Sequence, residues 1–459
     1  MSADPLNHRR DLAVRAAVER GLLADDHAPV VGLLDVAAVR ESARALHAAF
    51  REVAAPDQPV LHTFAVKASS LVPVLRLLAD EGLGCEVASP GELALARAAG
   101  VDAAHTVLDS PAKTRTELRE ALVEGIALNA DNPRELARLD ALMAEDGGRA
   151  REGGPAGTAA IGLRINPQVG GGAIGAMSTA TATSKFGFPL RDPGAREWLT
   201  EAFRTRPWLT RLHAHVGSQG IPLELMARGI AAVYELAEEI NAAVGRRQID
   251  TLDLGGGLPV NFDSDEMAPT FAAYARLLAE TVPGLFSGTY GLVTEFGRAL
   301  LAKAGTVVAR VEYTKSAGGR RIAVTHAGAQ LAVRTVFVPD SWPLRVAAYD
   351  TKGLPKTDAP VVQDVAGPCC FAGDLVARER PLPPLDEDDH AALLDTGAYY
   401  FSTPFGYNSL PRPGVYGFTI AENGERDGDE VSFATVREPQ SLASIVTESG
   451  AAHRDALRG

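Results

Sequence analysis

Residues that could carry out chemistry stand where short apolar segments of this chain end. Lys67 closes the apolar run of the stretch LHTFAVKASS, and His215 and Glu295 close two later runs. A lysine amine can form a Schiff base with an aldehyde. A free ammonium is costly to bury, because it leaves water without gaining a partner. We therefore expect Lys67 to be buried as a covalently bound imine.

The residues at the other segment ends complement this lysine. A glycine-rich loop and an arginine can hold a phosphate through backbone N–H groups and charge-assisted hydrogen bonds. A carboxylate can pair with a protonated pyridine nitrogen, and a histidine ring can lie flat on an aromatic ring. An aldehyde, a phosphate and a pyridine together describe pyridoxal 5'-phosphate. Each residue alone has an ordinary structural interpretation, so the prediction depends on their joint occurrence. The residues at these ends are Lys67, Arg164, His215, Ser218, Gly255, Gly256, Gly257, Glu295, Gly297 and Arg298.

These residues need a fold that gathers the ends of several strands. Apolar segments alternate with helical patterns from about residue 60, which predicts a (β/α)8 barrel. Such barrels place their chemistry at the carboxyl ends of the strands. Two capping boxes, Ser89 with Glu92 and Asn132 with Glu135, mark helix starts. The eight predicted strands are 63–68, 85–89, 105–109, 126–129, 160–166, 211–217, 251–255 and 291–297.

The pattern changes after about Gly305 to short β-like runs separated by turn signals. We therefore predict a barrel over 35–305 and a mostly-β domain over 306–440, with residues 1–34 packed on the β domain. Two loops are also predicted. One is the glycine-rich connection 147–157, and the other is the long, small-residue-rich segment 169–184, where barrel enzymes place functional loops.

The composition is that of a soluble globular protein, with 459 residues, 46% of them hydrophobic and 22% charged. The net charge of -13 argues against a nucleic-acid partner. Three cysteines make a disulfide framework improbable and favour a reducing compartment. The N-terminus lacks an apolar signal core, and no run approaches the roughly 20 apolar residues of a membrane helix. We expect a cytoplasmic protein with no metal site and no membrane partner.

The chain resembles the fold-type III pyridoxal-phosphate decarboxylases, the group of diaminopimelate, ornithine and arginine decarboxylases. The likeness is greatest to the diaminopimelate decarboxylase branch. It implies a barrel followed by a β domain, as in the alanine racemase-like fold. It also implies amino-acid decarboxylation and a homodimer with shared active sites. The matching stretches, in the family's order over roughly residues 60–410, are FAVKASS, CEVASPGEL, SKFGF, HAHVGSQG, LDLGGGLPV, EFGRALLAKAG, GPCCFAGD and GAYYFSTPFGYNS.

The resemblance assigns a role to individual residues. It makes Lys67 the Schiff-base lysine, stacks His215 on the cofactor ring and pairs Glu295 with the pyridine nitrogen. In the β domain, Cys370 matches a catalytic cysteine that the partner subunit donates, and Arg334 matches an arginine that binds a substrate carboxylate. The remaining implied residues are Ser218, Gly255, Gly256, Gly257, Gly297, Arg298 and Tyr399 at the phosphate, Arg164 at the cofactor, and Tyr407, which reaches across the dimer into the pocket.

Glu295 favours decarboxylation over racemisation. A carboxylate keeps the pyridine nitrogen protonated, which makes the ring a strong electron sink. Related racemases of this fold class place an arginine there. Cys370 would then be the acid that protonates the substrate carbon, while Cys369 is assigned to packing. A small buried apolar residue is the structural alternative for Cys370.

The departures from the family pattern concern the substrate. Phe371 stands where the family has an acidic residue that takes the distal ammonium of a diamino substrate. His326 replaces an aspartate, and Val338 replaces a tyrosine. Since a buried ammonium without a charge partner is costly, we predict altered side-chain specificity and poor turnover of diamino acids. Asp374 is the first alternative partner for such an ammonium.

Three functions remain open at this point. The first is an amino-acid decarboxylase of the diaminopimelate type with altered specificity. The second is another reaction through the same imine, such as racemisation. The third is a non-catalytic homologue, against which the joint presence of the site residues argues. The sequence does not identify the amino acid, its stereochemistry or its pathway.

Overall fold

The structure of this chain is a computed structural model, and it describes residues 6–24, 26, 28–145, 159–421 and 430–458. The described residues divide into two compact units. The barrel unit consists of Arg40–Asn261 and Met267–Leu300, and the β unit of the described parts of Met1–Val39, Phe262–Glu266 and Leu301–Gly459. The predicted domain limits, 35–305 and 306–440, stay a prediction. The loop predicted at 147–157 lies outside the described residues.

Both units are built from strands connected by helices and turns. The strands are β1 Val30–Asp35, β2 Val60–Ala65, β3 Gly84–Val87, β4 Thr106–Leu108, β5 Ala127–Ala130, β6 Ile161–Asn166, β7 Phe188–Pro189, β8 Leu209–His213, β9 Thr251–Asp253, β10 Gly291–Phe296, β11 Gly305–Ala317, β12 Arg320–Thr325, β13 Val346–Tyr349, β14 Val361–Ala366, β15 Leu375–Leu382, β16 His390–Leu394, β17 Gly414–Ala421 and β18 Glu430–Arg437. The helices are α1 Leu6–Glu19, α2 Val36–Val53, α3 Val72–Asp80, α4 Pro90–Ala98, α5 Arg115–Glu124, α6 Pro133–Glu145, α7 Ala195–Thr205, α8 Leu223–Val244, α9 Phe271–Thr281, α10 Arg298–Leu301, α11 Ala329–Phe337 and α12 Leu442–Glu448.

The barrel unit contains a closed ring of parallel strands. The strands follow the order β5-β4-β3-β2-β10-β9-β8-β6, and pairing of β5 with β6 closes the ring. The short β7 pairs with β6 outside the ring. The predicted (β/α)8 barrel is therefore confirmed.

The two predicted helix starts are correct in position and differ in detail. The Ser89 hydroxyl accepts from the N–H of Glu92 at 3.2 Å, as an N-cap should. The Glu92 carboxylate accepts from the N–H of Ala88 at 2.7 Å, one residue before the expected cap N–H. The Asn132 start shows the same shift, because Glu135 accepts from the N–H of Asp131 at 3.0 Å. These glutamates therefore also fix the strand-to-helix turns.

Six of the eight predicted strands end earlier than expected, and the differences at β2 and β8 are the largest and move a candidate site residue out of its strand. β2 ends at Ala65, and Lys67 lies in the following 3₁₀ turn, Val66–Ala68. β8 ends at His213, so His215 lies in the loop that follows it. The physical reason is that both segments stay apolar beyond the last strand residue, and apolar character alone does not show where pairing stops.

The β unit is a mixed sheet that includes the N-terminal strand. The sheet order is β15-β14-β12-β11-β1-β17-β18, and β16 bridges β11 and β13. β1 runs antiparallel to β11 and parallel to β17. α1 contributes Ala13, Val14 and Ala17 to the core of this sheet. The sequence analysis predicted no separate element at β1, β15, β16 or α11. Among the described residues, every helix is too short or too polar to span a lipid bilayer.

Candidate active site

The register of the barrel strands aligns polar side chains. Arg164 on β6 lies opposite His213 on β8, which lies opposite Asp253 on β9. Residues opposite each other in a sheet share a face. All three are buried, as is Glu295 on β10. The barrel therefore encloses a row of ionisable groups, which only mutual pairing or a bound ligand can stabilise.

These groups form a continuous row of ionisable side chains in contact. Arg164 Nη1 donates to Asp109 Oδ2 at 3.2 Å. His213 lies between two carboxylates, with Nδ1 3.6 Å from Asp109 Oδ2 and Nε2 3.4 Å from Glu295 Oε2. The Arg164 guanidinium also stacks on the ring of Phe186, 4.4 Å from its centroid. Arg164 and Glu295 are thus linked through two residues that the sequence analysis did not single out.

Lys67 differs from its prediction in one respect. Its amine pairs with the carboxylate of Glu86, a residue of β3 that is 1% exposed. The Lys67 side chain itself is 44% exposed, so the expectation of a buried lysine is wrong. The 3₁₀ turn carries the side chain beyond the apolar strand. An exposed amine beside a carboxylate remains accessible to an aldehyde carbon.

Burial and neighbouring charges set the ionisation of this cluster. Burial, with the nearby Asp109 and Glu86, raises the pKa of Glu295 well above its ordinary value. Burial raises the pKa of Asp109 as well, but His213 and Arg164 outweigh it and hold that pKa below its ordinary value. Burial, and secondarily the charge of Glu295, raises the pKa of Asp253 to about 7. The barrel therefore holds more carboxylates than its own cations stabilise.

The glycines after β9 allow backbone segments to approach closely. Gly257 has φ of 98°, a conformation that favours glycine, and a Cβ there would overlap the carbonyl oxygen of Gly217. A Cβ on Gly256 would overlap the carbonyl of Glu295. The N–H of Gly256 donates to His215 Nδ1 at 3.1 Å, which fixes the histidine ring. Burial lowers the pKa of His215 well below its ordinary value, so the ring is neutral.

The predicted loop 169–184 lies along the segment that contains His215. The N–H of Thr179 donates to the carbonyl of Val216 at 3.1 Å, and its hydroxyl donates to the carbonyl of His215. The N–H of Ser218 donates to the carbonyl of Met177 at 3.0 Å. The loop thus holds the backbone of two candidate cofactor-binding residues in place.

The β unit carries the second group of predicted residues. Cys370 is exposed, and its N–H donates to Asn408 Oδ1 at 2.8 Å. Tyr407 donates its hydroxyl hydrogen to the carbonyl of Cys370 at 3.4 Å. The exposure of Cys370 contradicts the alternative of a buried packing residue, whereas Cys369 is buried, as predicted. Phe371 meets the ring of Tyr407 edge-on, with centroids 5.7 Å apart.

Arg334 lies on α11 between two aromatic rings. Its guanidinium carbon is 4.8 Å from the centroid of Tyr399 and 5.1 Å from that of Trp342. Among the described residues, its buried Nη1 has no hydrogen-bond partner. The two rings hold the guanidinium of Arg334 in place, and its Nη1 can donate a hydrogen bond to a carboxylate or a phosphate.

Asp374, the predicted alternative partner for a substrate ammonium, has a structural role in the β unit. Its side chain is buried, and its two oxygens accept from the N–H of Ala329 and the N–H of Cys369, each at 2.6 Å. These bonds join the start of α11 to the cysteine loop. Because each oxygen already accepts a backbone N–H and the side chain is buried, this structural role disfavours the assignment of Asp374 as a substrate ligand, which stays a prediction.

Comparison with known proteins shows the family to which this chain belongs. A family model described as the pyridoxal-binding domain of pyridoxal-dependent decarboxylases matches residues 37–302. The chain belongs to this family. It is similar to diaminopimelate decarboxylase of Pseudomonas aeruginosa, with 32% identity over 85% of this chain and 88% of the relative. It is similar also to that of Methanothermobacter thermautotrophicus, with 30% identity over 85% of this chain and 87% of the relative.

Solved structures agree on the fold. The crystal structure of Helicobacter pylori diaminopimelate decarboxylase complexed with L-lysine matches with a TM-score of 0.78 and 24% identity, over 94% of this chain and all of that one. The likeness confirms a fold-type III barrel with a β domain. The chain is a pyridoxal-phosphate-dependent decarboxylase, a lyase that acts on an amino acid.

The residues of the barrel unit fit pyridoxal phosphate. Among the described residues, the buried Oε1 of Glu295 has no hydrogen-bond partner, and burial with the nearby Asp109 and Glu86 raises the pKa of Glu295, so a further cation would stabilise its carboxylate. A protonated pyridine nitrogen would supply that cation. The neutral ring of His215, the accessible amine of Lys67 and the glycine turn suit the remaining parts of the cofactor.

The sequence analysis missed Glu86, Asp109, His213 and Asp253. A signal was present, because each is a polar residue inside or directly after a short apolar strand, as in GCEV, TVLD, LTRLH and TLD. Glu86 also lies within the quoted stretch CEVASPGEL. What the sequence could not show is that these four meet Lys67, Arg164 and Glu295, since that depends on the barrel register.

Proposed function

We propose that this decarboxylase acts on an amino acid whose side chain carries no distal ammonium. The observation that supports it concerns the residues after Cys370, none of which offers a carboxylate free of backbone bonds among Phe371 to Asp374. Phe371 follows the cysteine, and Asp374 commits both of its oxygens to backbone amides. An ammonium buried there would lose its hydration without gaining a carboxylate, which costs several kcal/mol. The proposal departs from the names of the relatives on this point.

In the barrel unit, we assign Lys67 to the cofactor aldehyde, Glu295 to the pyridine nitrogen and His215 to the ring face. We assign the phosphate to Ser218, Gly255, Gly256, Gly257, Gly297 and Arg298, and we assign Arg164, which donates to Asp109, to the cofactor site. The family resemblance adds Tyr399 of the β unit to the phosphate ligands. When bound, the cofactor supplies the electron sink for the pair released on loss of CO2. Glu295 is suited to its part because a carboxylate short of cations gains most from a pyridinium partner.

In the β unit, we assign Cys370 as the acid that returns a proton to the substrate carbon. Arg334 would bind a substrate carboxylate through its remaining donors. We further propose a homodimer in which Cys370 and Tyr407 complete the partner's barrel, as the family resemblance implies. The exposure of Cys370 is compatible with a role outside its own unit.

The test is a CO2-release screen across L- and D-amino acids with the holoenzyme, scored as kcat/KM. We expect neutral amino acids to exceed meso-diaminopimelate, L-lysine and L-ornithine. A wild-type preference for any of the three diamino acids would refute the specificity proposal. Chiral analysis of the amino acid recovered from the same samples detects racemisation. If the two isomers interconvert and no CO2 is released, the proposed reaction is racemisation and not decarboxylation.

Shared active sites are tested by complementation. Lys67→Ala and Cys370→Ala proteins are each expected to be inactive, and mixed dimers carry one intact site. Mixing equal amounts should therefore restore up to about a quarter of the activity of the same amount of wild type, because half of the dimers are mixed and each of these has one intact site of two. Exchange of subunits is followed independently with two affinity tags. Tagged mixed dimers that show no activity would contradict an intersubunit site.

A further inference from the structure

Four aromatic rings in the β unit form a closed cluster, which we call the aromatic wall: Phe337, Phe371, Phe405 and Tyr407. Phe337 and Phe371 stack with centroids 5.4 Å apart and planes 10° apart. Phe405 and Tyr407 stack at 5.7 Å and 2°. The two stacks meet edge to face, because Phe337 is at 82° to Phe405 and Phe371 at 88° to Tyr407. Each ring thus contacts two others in the orientations that aromatic pairs prefer.

The wall is assembled from three separate segments and stays open to its surroundings. Phe337 ends α11, Phe371 follows Cys370, and Phe405 and Tyr407 precede β17. Phe337 is 54% exposed and Tyr407 is 41% exposed. Grouped aromatic residues that keep this exposure mark a binding surface more often than an accident of composition. Their mutual contacts hold the rings in fixed orientations before anything binds.

The wall is joined to the cysteine. Tyr407 donates to the carbonyl of Cys370, Asn408 accepts from its N–H, and Phe371 is its neighbour in the chain. These bonds fix both polar groups of the Cys370 backbone to the segment that carries Phe405 and Tyr407. Wherever the Cys370 thiol meets a substrate, the wall therefore lies next to that substrate.

The charges around the wall disfavour a cationic ligand. The one polar group of the four side chains, the Tyr407 hydroxyl, donates to a carbonyl. Asp374 is turned inward. On the side of Phe371, Arg378 donates to the carbonyl of Gly373 at 3.3 Å. Ring faces alone would attract a cation, but the Arg378 guanidinium beside Phe371 already supplies a positive charge there and repels a second one. An uncharged ring is therefore the better match for the wall.

We propose that the aromatic wall binds the distal part of the substrate side chain, and that the preferred substrate is an amino acid with an uncharged aromatic side chain. This inference rests on the proposed function, because it places Cys370 at the reacting carbon. Phe337 and Phe405 become specificity-determining residues, although neither follows the cysteine nor belongs to the cofactor site.

Binding is tested apart from turnover with 3-phenylpropionate, which keeps a phenyl ring and a carboxylate but has no amino group to react with the cofactor. Calorimetric titration of the holoenzyme should show at least fivefold weaker binding in Phe337→Ala and in Phe405→Ala. Tyr313→Ala is the matched control, since Tyr313 is an aromatic residue of the same unit that is 67% exposed and outside the wall. Unchanged binding in both wall variants would overturn the proposal, provided that their thermal unfolding and cofactor absorbance match wild type.

Turnover supplies the second measurement. We expect wild-type kcat/KM to be highest for L-phenylalanine or L-tyrosine, and to fall at least tenfold in each wall variant, chiefly through KM. The rate with a short neutral amino acid such as L-alanine should change less than twofold. Equal losses for L-phenylalanine and L-alanine would overturn the wall as a specificity element while leaving decarboxylation intact. Absence of CO2 from every amino acid would instead refute the proposed function, and the 3-phenylpropionate titration would still decide whether the wall binds a phenyl group.

Discussion

Removing the carboxylate of Asp374 should loosen the join between α11 and the cysteine loop. In Asp374→Ala, the N–H groups of Ala329 and Cys369 lose their acceptors, which now lie at 2.6 Å. A hydrogen bond to a charged group contributes about 1.5–3 kcal/mol. Two such bonds predict a loss of about 3–6 kcal/mol in the free energy of unfolding of the β unit. Asp374→Asn keeps one acceptor oxygen, so about half of that loss is expected.

The tryptophans allow the two units to be followed separately. Trp342 is the only one of the three tryptophans in the β unit, because Trp198 and Trp208 belong to the barrel unit. In a Trp198→Phe, Trp208→Phe background, urea unfolding monitored by fluorescence reports on the β unit. Asp358→Ala, at an exposed aspartate of the same unit, is the control. A loss below about 1 kcal/mol in Asp374→Ala, equal to that of the control, would show that these two bonds do not anchor the loop.

Three further predictions concern the site. Lys67→Ala should lose the visible absorbance of the bound cofactor and its fixation by borohydride while the thermal unfolding temperature stays near wild type; a band that survives and can be reduced would contradict the lysine assignment. Phe371→Glu should raise kcat/KM for meso-diaminopimelate relative to neutral amino acids, by a small factor because Phe337, Phe405 and Tyr407 still line the wall, and an unchanged ratio would count against Phe371 as a specificity residue. In cofactor-free protein, the pKa of Asp253 is raised from 3.8 to about 7, so the folded state keeps a proton that the unfolded state has lost, and stability should fall as pH rises from about 4 to 7. Three pKa units correspond to about 4 kcal/mol, and Asp253→Asn should remove most of that decline in unfolding experiments across this pH range.

The barrel could be predicted because its sequence signals are local. Each strand is a short apolar run, each helix start has a polar cap, and the alternation of the two specifies parallel pairing. The boundaries were less accurate at β2 and β8, where apolar residues continue past the last paired residue. That error moved Lys67 from a strand end into a turn and led to the wrong expectation that its side chain is buried.

The relations among the site residues could not be predicted, because they depend on contacts between residues far apart in the chain. Asp374 illustrates this. Its position after Phe371 suggested an alternative acid for a substrate, yet the fold places Gly328 and Gly367 against its carboxylate, and only glycine leaves room there. The aromatic wall is a second example, since its rings come from three segments far apart in the chain. Phe371 lies 34 residues after Phe337, and Phe405 lies 34 residues after Phe371. Neither arrangement has a local sequence signal.

The buried charges of the barrel predict that Glu295 favours binding of the cofactor. Burial raises the pKa of Glu86 despite its pairing with Lys67, and burial also raises the pKa of Glu295. Asp109 alone is held charged, by His213 and Arg164. The two cations that lower the pKa of Glu295 are Lys67, which pairs with Glu86, and Arg164, which pairs with Asp109. Since both are shared with other acids, a cation from outside the chain would stabilise the Glu295 carboxylate. Glu295→Gln would remove that demand. We expect it to retain the fold and to weaken retention of pyridoxal phosphate during dialysis, because the amide cannot compensate a pyridinium charge. Retention equal to wild type would show that Glu295 does not stabilise a protonated ring nitrogen.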